Sequence, residues 1–450
     1  MIVFLLTIFL TLIAVLMLRI SRLAVLSPSL IMVLSFLVSS SVYFINYNII
    51  GKDIEPITGV LIICSIVSFY FGEILSTCIK INNNRRSRLL NHHVTSRMKR
   101  LALPLFFVDI FIFLIRYYDL YKYLSETGQF TSLLSVISDI RLDYALGLYT
   151  NRGIVIQIVI YITIILELIS YIYLYSFVFE YVSKRKIDWR LLLPIAGYLL
   201  IILTFTGRSS YIEYIAIATT MFAFNYIKLS SSSFRLNKQR EGFIIAKTVK
   251  FVAIFSVLFF SYEYIVRNGN SSLLNSITSY IAAPLYGLST MNNSVFYGID
   301  GRGLTFGYYT LQYLHILLNN FFGFKIPVPS FHNLPFFYYE KGSSNIYTSL
   351  IFSYLDYGYF GVIITRFILG FISGLVLSRL IKGYKAGDYL AIPSLIVSGL
   401  FIYAALNASI ADRYAGLVLD PNTIIKYLVI FPIIIYVFLT MLDKKVRIKL

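Results

Sequence analysis

An arginine and a glutamate interrupt an otherwise apolar stretch in the middle of the sequence. In LTFTGRSSYIEY, residues 203–214, Arg208 follows a long apolar run, and Glu213 stands where that run resumes. A guanidinium suits phosphate groups, because its planar fork donates two parallel hydrogen bonds and keeps its proton. The interval between the two residues is not the helical spacing of three or four that favours a local ion pair. The pattern predicts a functional anion site at Arg208, with Glu213 as a buried side chain that positions an arginine from another helix.

The composition defines the environment of these charges. The chain has 450 residues, of which 58% are hydrophobic and only 13% are charged. Soluble domains contain about 25% charged residues. Apolar runs of about 20 residues, long enough to cross a bilayer, recur along the whole chain. The sequence therefore predicts an all-α protein, a polytopic transmembrane helical bundle.

The basic residues predict the orientation of the chain in the membrane. The net charge is +18, and most lysines and arginines fall in short stretches between apolar runs. By the positive-inside rule these stretches are cytoplasmic loops, so the charge does not indicate nucleic-acid binding. About eleven spans follow from this threading, with a twelfth span or re-entrant segment near 304–322 as an alternative. The predicted spans lie near residues 2–18, 23–48, 58–80, 101–122, 153–181, 191–206, 209–228, 250–266, 359–378, 389–408 and 424–442.

Three regions result from this topology. Transmembrane helices 1–8 occupy residues 1–266, a large extracytoplasmic loop occupies 267–358, and the C-terminal transmembrane helices occupy 359–450. The large loop is too rich in aromatic residues to be disordered, and it is predicted to fold into helices over the outer end of the bundle. A shorter outward segment, 132–149, is apolar apart from Asp139, Arg141 and Asp143. It predicts an amphipathic helix at the outer membrane boundary, with an ordinary surface helix as the alternative.

Short stretches of the sequence carry a family resemblance. YIAAPLYGL at 280–288 and NIYTSLIFSYLDYGYFG at 345–361 resemble the signature region of the Wzy-type O-antigen and capsule polymerases, and TGRSSY at 206–211 is similar to their arginine-containing turn. The resemblance covers the whole chain in architecture but only these stretches in sequence. It implies a GT-C-like glycosyltransferase of lipopolysaccharide biosynthesis, multi-pass in the bacterial inner membrane. Such an enzyme polymerises undecaprenyl-diphosphate-linked oligosaccharides at the periplasmic face, and a chain-length regulator and a flippase are its implied partner proteins.

A lipid diphosphate donor requires cations at the membrane boundary, and the outward arginines are the candidates. Arg208 ranks first and is assigned a catalytic role. Arg141 ranks second, because an interfacial helix holds it at the height of the phosphates. Arg116 and Arg302 are further substrate-binding candidates, with an ion pair between Arg116 and Asp119 as the structural alternative. The remaining outward arginines are Arg152, Arg267, Arg366 and Arg413.

Glycosyl transfer also requires a base that takes the proton of the acceptor hydroxyl. The candidates on the outward side are Asp356, His332, Glu340 and Glu213, of which Glu213 is favoured for substrate positioning. His332 has the alternative of an ordinary loop histidine. Asp356 has the alternative of capping or orienting the helix that follows at Gly358.

Further substrate contacts are predicted at Asn345 and Tyr347, in the family-like stretch. An aromatic face there suits a sugar ring, and core packing of the loop explains the aromatic residues equally well. No Asp-x-Asp pair occurs on the outward side. We therefore predict no metal and no cofactor, with Arg208 and Arg141 stabilising the departing diphosphate instead. The predicted partners are the lipid-linked oligosaccharide and membrane lipids, and no nucleic acid.

Two other functions share many of these features. An O-antigen ligase uses the same donor and nearly the same number of helices, but its acceptor is the lipid A core. The NIYT to YLDYG stretch favours the polymerase over it. A flippase for the lipid-linked oligosaccharide would line a central cavity with cations and keep its loops short on both sides. The large outward loop favours an enzyme over a flippase.

Overall fold

The fold is described from a computed structural model, whose described residues are 1–20, 26–79, 92–128, 136, 140, 153–205, 209–230, 275, 277–293, 307–328, 337–414 and 420–443. Most of these residues are helical. In chain order the elements are α1 (Ile2–Ile20), α2 (Pro28–Ile45), α3 (Tyr47–Ile50), α4 (Pro56–Thr77), α5 (His92–Thr127), α6 (Gly153–Lys184), α7 (Trp189–Leu203), α8 (Ser209–Ser230), α9 (Ala283–Asn293), α10 (Gln312–Phe322), β1 (Phe337–Tyr339), β2 (Gly342–Ser344), α11 (Ile351–Gly383), α12 (Ile392–Leu406), α13 (Pro421–Ile424) and α14 (Phe431–Asp443). Short π-helical segments precede α9 (Thr278–Ala282) and α14 (Ile425–Ile430), and a 3-10 turn (Tyr389–Ala391) precedes α12.

Seven helical segments within the described residues are long and apolar enough to cross a membrane, and each coincides with a predicted span. They are Ile2–Arg19, Pro28–Ile45, Pro56–Thr77, Gly153–Lys184, Ile351–Gly383, Tyr389–Leu406 and Ile425–Leu442. The predicted spans 101–122 and 209–228 are helical and lie within α5 and α8, and α7 is a shorter apolar helix of 15 residues. The predicted span at 250–266 lies outside the described residues. The total of about eleven stays a prediction.

The large loop is helical only in part. It contains α9 and α10, and α10 has 11 residues, too few for the extra span considered near 304–322. Residues 337–344 instead form an antiparallel hairpin in which Phe337 pairs with Ser344 and Tyr339 with Gly342. The prediction of a wholly helical loop is therefore wrong at this hairpin, where three aromatic residues in a row favour strand. The backbone N–H groups of Glu340 and Lys341 donate to carbonyl oxygens of α3, which anchors the turn.

The chain divides into two compact units. Unit 1 comprises Met1–Asn83, Ser233–Lys382 and Leu400–Ile425, and unit 2 comprises Asn84–Ser232, Gly383–Gly399 and Lys426–Leu450. Each unit contains segments that lie far apart in the sequence. Candidate side chains from distant parts of the chain are therefore brought together within each unit.

In unit 1, α4 packs against α11 with the two backbones in direct contact. A Cβ on Gly370 would overlap the backbone of Phe69, and one on Gly72 would overlap the carbonyl oxygen of Phe367. Gly370 and Gly374 stand four residues apart, the small-residue spacing that allows close helix packing in membranes. Before this contact α11 is kinked at Gly358, whose φ of 66° and ψ of −156° favour glycine strongly. α11 begins about two turns before the predicted span.

In unit 2, α5 packs along α7, and α6 packs against α7 and α8. Asp188 caps the N-terminus of α7 by accepting from the Arg190 N–H at 3.1 Å. The core of the unit is rich in buried tyrosines, and the Tyr173 hydroxyl donates to the carbonyl oxygen of Met98 on α5 at 2.8 Å. In the predicted interfacial helix 132–149, only Val136 and Ile140 are described. Both are helical and buried.

Candidate functional site

Arg116 is buried in unit 2, beneath the end of α7. Its side chain is 3% exposed. Its Nε donates to the Thr204 hydroxyl at 2.8 Å, and its guanidinium carbon lies 4.2 Å from the centroid of the Phe205 ring. Its Nη1 is buried and has no hydrogen-bond partner among the residues that the structure describes. Thr204 and Phe205 precede Arg208 in the sequence by four and three positions.

Asp109 lies two turns before Arg116 on α5 and faces the same neighbouring helix. It fills the space left by the missing side chain of Gly197 on α7. Its Oδ1 is buried without a described hydrogen-bond partner. Sequence reasoning did not select Asp109, although the interval of seven residues puts it on the face of Arg116.

Glu213 belongs to a second, partly buried group in unit 2, which we call the carboxylate cluster (Glu167, Glu213, Lys426 and Tyr427). Lys426 Nζ lies 2.6 Å from both carboxylate oxygens of Glu167. The Tyr427 hydroxyl lies 2.9 Å from Oε1 of Glu167 and 3.4 Å from Oε1 of Glu213. Glu213 thus faces a tyrosine and a lysine-bound carboxylate. The predicted pairing of Glu213 with an arginine from another helix stays a prediction.

Tyrosines surround the carboxylate cluster on the neighbouring helices. The Tyr171 hydroxyl lies 3.5 Å from Oε1 of Glu167, and Tyr171 and Tyr198 both lie in the electrostatic field of Glu167 and Glu213. The rings of Tyr171 and Tyr214 are stacked with centroids 5.1 Å apart. Sequence reasoning missed Glu167, and its position inside the apolar run ITIILELISY was the signal that could have revealed it.

Arg366 is the buried arginine of unit 1, completely shielded on α11. Its Nη2 donates to the carbonyl oxygen of Ser349 and lies 3.8 Å from Oδ2 of Asp412. Its guanidinium carbon lies 4.9 Å from the centroid of the Tyr414 ring. Nε and Nη1, and the Thr348 hydroxyl, are buried without a described hydrogen-bond partner. A buried donor without an acceptor is energetically costly. These N–H groups and the hydroxyl are therefore suited to bind an oxygen-rich group.

Asp356 joins α11 to the segment before α10. Its Oδ2 accepts from the Thr310 N–H and hydroxyl, each at 2.7 Å, and both carboxylate oxygens lie 3.1 Å from the Tyr309 nitrogen. These bonds tie α11 to residues 309 and 310, a contact that the sequence did not predict. The role of base and that of capping or orienting the helix at Gly358 both stay predictions. His315 on α10 faces the same carboxylate and was not selected from the sequence.

The other described candidates of unit 1 lie around the hairpin. Glu340 is exposed at the turn, with its side chain against Gly51. Tyr347 is buried, and its ring centroid lies 5.2 Å from that of Phe337. Burial raises the pKa of the Tyr347 hydroxyl above its ordinary value, so the group stays protonated at neutral pH. Asn345 is exposed.

The structure thus brings together two candidate sets, each within its own unit. Unit 2 holds Arg116 and Glu213, and unit 1 holds Asp356 and the residues around the hairpin. Four predicted residues lie outside the described residues: Arg141, Arg208, Arg302 and His332. In the described part of the chain, no group of three or more histidine, cysteine, aspartate or glutamate side chains has the arrangement of a metal site.

No protein-family model matches the chain, and no curated protein or solved structure matches it either. The long apolar helices define its class, an all-α membrane protein with several spans. Within that class, charges buried in the membrane region, such as the buried arginines and the carboxylate cluster, are the positions at which a functional site is expected.

Proposed function

We propose that this protein is a glycosyltransferase that polymerises lipid-linked oligosaccharide repeat units. The growing glycan is transferred from undecaprenyl diphosphate to the non-reducing end of the next undecaprenyl-diphosphate-linked unit. On this proposal the protein is a Wzy-type polymerase with a GT-C-like fold in a bacterial inner membrane, and its site faces the periplasm. A chain-length regulator and a flippase act with it.

The observation that carries the proposal is the position of Arg116. It is a buried cation whose Nη1 has no hydrogen-bond partner among the described residues, and it contacts Thr204 and Phe205, which precede Arg208 in the sequence by four and three positions. Charges inside a membrane protein are costly and are kept where they bind a substrate or an ion. On this proposal Arg208 supplies a second guanidinium group, and two such groups suit a diphosphate, which carries several acceptor oxygens.

The chemistry of glycosyl transfer explains why such arginines would speed the reaction. The bond between the anomeric carbon and the diphosphate oxygen breaks, and the electron pair leaves with the diphosphate. Negative charge on the leaving group grows during this step, so fixed donors bind the transition state better than the donor substrate. Thr204 and the ring of Phe205 hold the Arg116 guanidinium in place before any ligand arrives. It therefore needs little reorganisation during the reaction.

Purified protein in lipid bilayers, supplied with undecaprenyl-diphosphate-linked repeat units, is expected to form a ladder of longer glycans. Arg208→Lys and Arg116→Lys keep the charge but lose the bidentate geometry, so each is expected to lower the rate about 100-fold or more. Arg190→Ala, which removes an exposed arginine at the start of α7, is the matched control and should keep the full ladder.

Deletion of the gene in its host separates this proposal from its competitors. Surface polysaccharide that ends after one repeat unit indicates loss of a polymerase. Lipid A core without any repeat unit indicates a ligase or a flippase and would contradict the proposal. A full ladder with lysine at both positions would contradict the catalytic role of the two arginines and would leave Arg208 as an anchor in the head-group region.

A further inference from the structure

The helix α10 of the large loop buries polar side chains and exposes apolar ones. Its two buried residues are Gln312 and His315. Leu314 and Phe321, seven residues apart on one face, are exposed, and Asn320 is the one polar residue of α10 that is exposed with them. A helix that packs on a protein core in water shows the opposite pattern. The exposed face of α10 therefore suits an apolar environment.

The C-terminal end of α10 presents three aromatic rings, which we call the phenylalanine tip (Phe321, Phe322 and Phe324). These side chains are 78%, 68% and 55% exposed. The ring centroids of Phe322 and Phe324 lie 6.4 Å apart. Soluble proteins rarely gather large apolar side chains in one exposed patch, and such patches mark protein or membrane contact surfaces. The tip is therefore a contact surface for an apolar partner.

The backbone around the tip is fixed by polar groups. α10 ends at Gly323, whose φ of 70° is left-handed and whose N–H donates to the carbonyl oxygen of Asn319 at 3.2 Å. The Asn319 side chain donates to the carbonyl oxygen of Ile326 at 2.8 Å and accepts from the Ile326 N–H at 2.9 Å. These hydrogen bonds close the turn that carries the tip and hold its backbone in one conformation.

The contacts of α10 lie beside the outward ends of two spans. Asp356 binds residues 309 and 310, just before α10, and it precedes the predicted span 359–378 by three residues. α10 also packs against α13, which ends directly before the span that begins at Ile425. Basic stretches follow both spans, so by the positive-inside rule both begin on the outward side. These contacts put α10 at the height of the outward membrane boundary.

We propose that α10 and the phenylalanine tip lie in the outward lipid interface of the bilayer and anchor the large loop there. With 11 residues α10 is about 16 Å long, too short to cross a membrane but suited to lie on one. Lys325 is exposed next to the tip, where its ammonium group can bind lipid phosphates while the rings enter the hydrocarbon. Such an anchor is compatible with each of the functions considered above.

The single tryptophan of the sequence, Trp189, allows a test by fluorescence. In a Trp189→Phe background, Phe322→Trp places an indole on the tip of the full chain in lipid bilayers. Bromine atoms at known positions along the lipid chains quench an indole on contact, and iodide quenches it from the water. The indole should emit at a shorter wavelength than in water. Lipids brominated close to the head groups should quench it more than lipids brominated near the chain ends.

Ser343→Trp in the same background is the matched control, because Ser343 is exposed on β2 of the same loop. Iodide should quench the indole at that position, and the brominated lipids should not. Phe324→Trp repeats the measurement on the other side of Gly323. It takes the place of Phe322→Trp should that variant fail to fold.

Three results would overturn the lipid contact. Strong quenching of Phe322→Trp by iodide would place the tip in water. Strongest quenching by bromines near the chain ends would place α10 deep in the bilayer. Short-wavelength emission without quenching by either lipid would assign the tip to a protein contact, such as a second copy of this chain. Each result leaves the polymerase proposal standing, because no proposed catalytic residue lies on the tip.

Discussion

The two buried arginines that the structure describes, Arg116 and Arg366, lie against aromatic rings and donate to uncharged oxygens, and Arg366 also lies near the Asp412 carboxylate. Arg116 lies over Phe205 and donates to Thr204, and Arg366 lies near the Tyr414 ring and donates to a backbone carbonyl. A guanidinium spreads its charge over a plane that stacks on rings and is weakly hydrated, so it tolerates such sites better than an ammonium group. In both arginines some N–H groups have no hydrogen-bond partner among the described residues.

Arg366 provides a residue-scale prediction about stability. Arg366→Leu leaves the buried Asp412 carboxylate without its neighbouring cation, and breaking such a pair from one side costs about 3–5 kcal/mol. The double variant Arg366→Leu with Asp412→Leu should lose less than the sum of the two single variants. Thermal unfolding in detergent measures all three. Arg379→Leu, at an exposed position of α11, is the control and should change the stability little. Strictly additive losses would show that the two side chains do not interact.

Asp356 and Gly358 together shape the start of α11. The carboxylate holds residues 309 and 310 through four bonds, and the kink follows two residues later. The segment before α10, the kink and the hairpin all belong to unit 1. A change at Asp356 should therefore weaken the attachment of the whole segment before α10 and not only the position of one side chain.

The hydrogen bonds of Asp356 predict that Asp356→Asn is destabilising, because an amide offers one acceptor oxygen where the carboxylate offers two. Loss of buried hydrogen bonds of this kind costs about 1–3 kcal/mol. The measurement is thermal unfolding together with limited proteolysis of the segment around α10. Thr310→Val, which removes the hydroxyl and its contacts with Asp356 and Tyr357 but keeps the backbone bonds, should give a smaller change of the same kind. Unchanged stability with a loss of glycan extension would instead identify Asp356 as a catalytic base.

At the scale of the whole molecule, the basic loops predict which side of the membrane each loop occupies. In a variant without Cys64 and Cys78, single cysteines at Asn91 and Lys238 should resist a membrane-impermeant thiol reagent in intact cells. Cysteines at Ser272 and Ser343 should react.

Permeabilised cells provide the control, because all four single-cysteine variants should then react with the reagent. The reverse pattern in intact cells would place Arg208 and the large loop in the cytoplasm. That result would contradict the proposed periplasmic chemistry.

Much of the architecture can be predicted from short stretches of consecutive residues. The length and composition of an apolar run are properties of consecutive residues, so the seven described spans were predictable. The hairpin at 337–344 was not, because its turn is fixed by carbonyl groups of α3, hundreds of residues away. The early start of α11 was missed because Asp356 and the aromatic residues around it resemble loop sequence.

For the site, the sequence by itself determined which charges are exceptional. Arg116, Arg208 and Glu213 interrupt apolar stretches, and that can be seen without a fold. Only the tertiary structure decided their partners. Glu167 and Lys426 are separated by 259 positions, and no spacing rule links side chains on helices so distant in the chain. A buried charge is energetically costly, so a charged residue inside an apolar stretch stands out in the sequence. Which group compensates that charge depends on how the helices pack against each other.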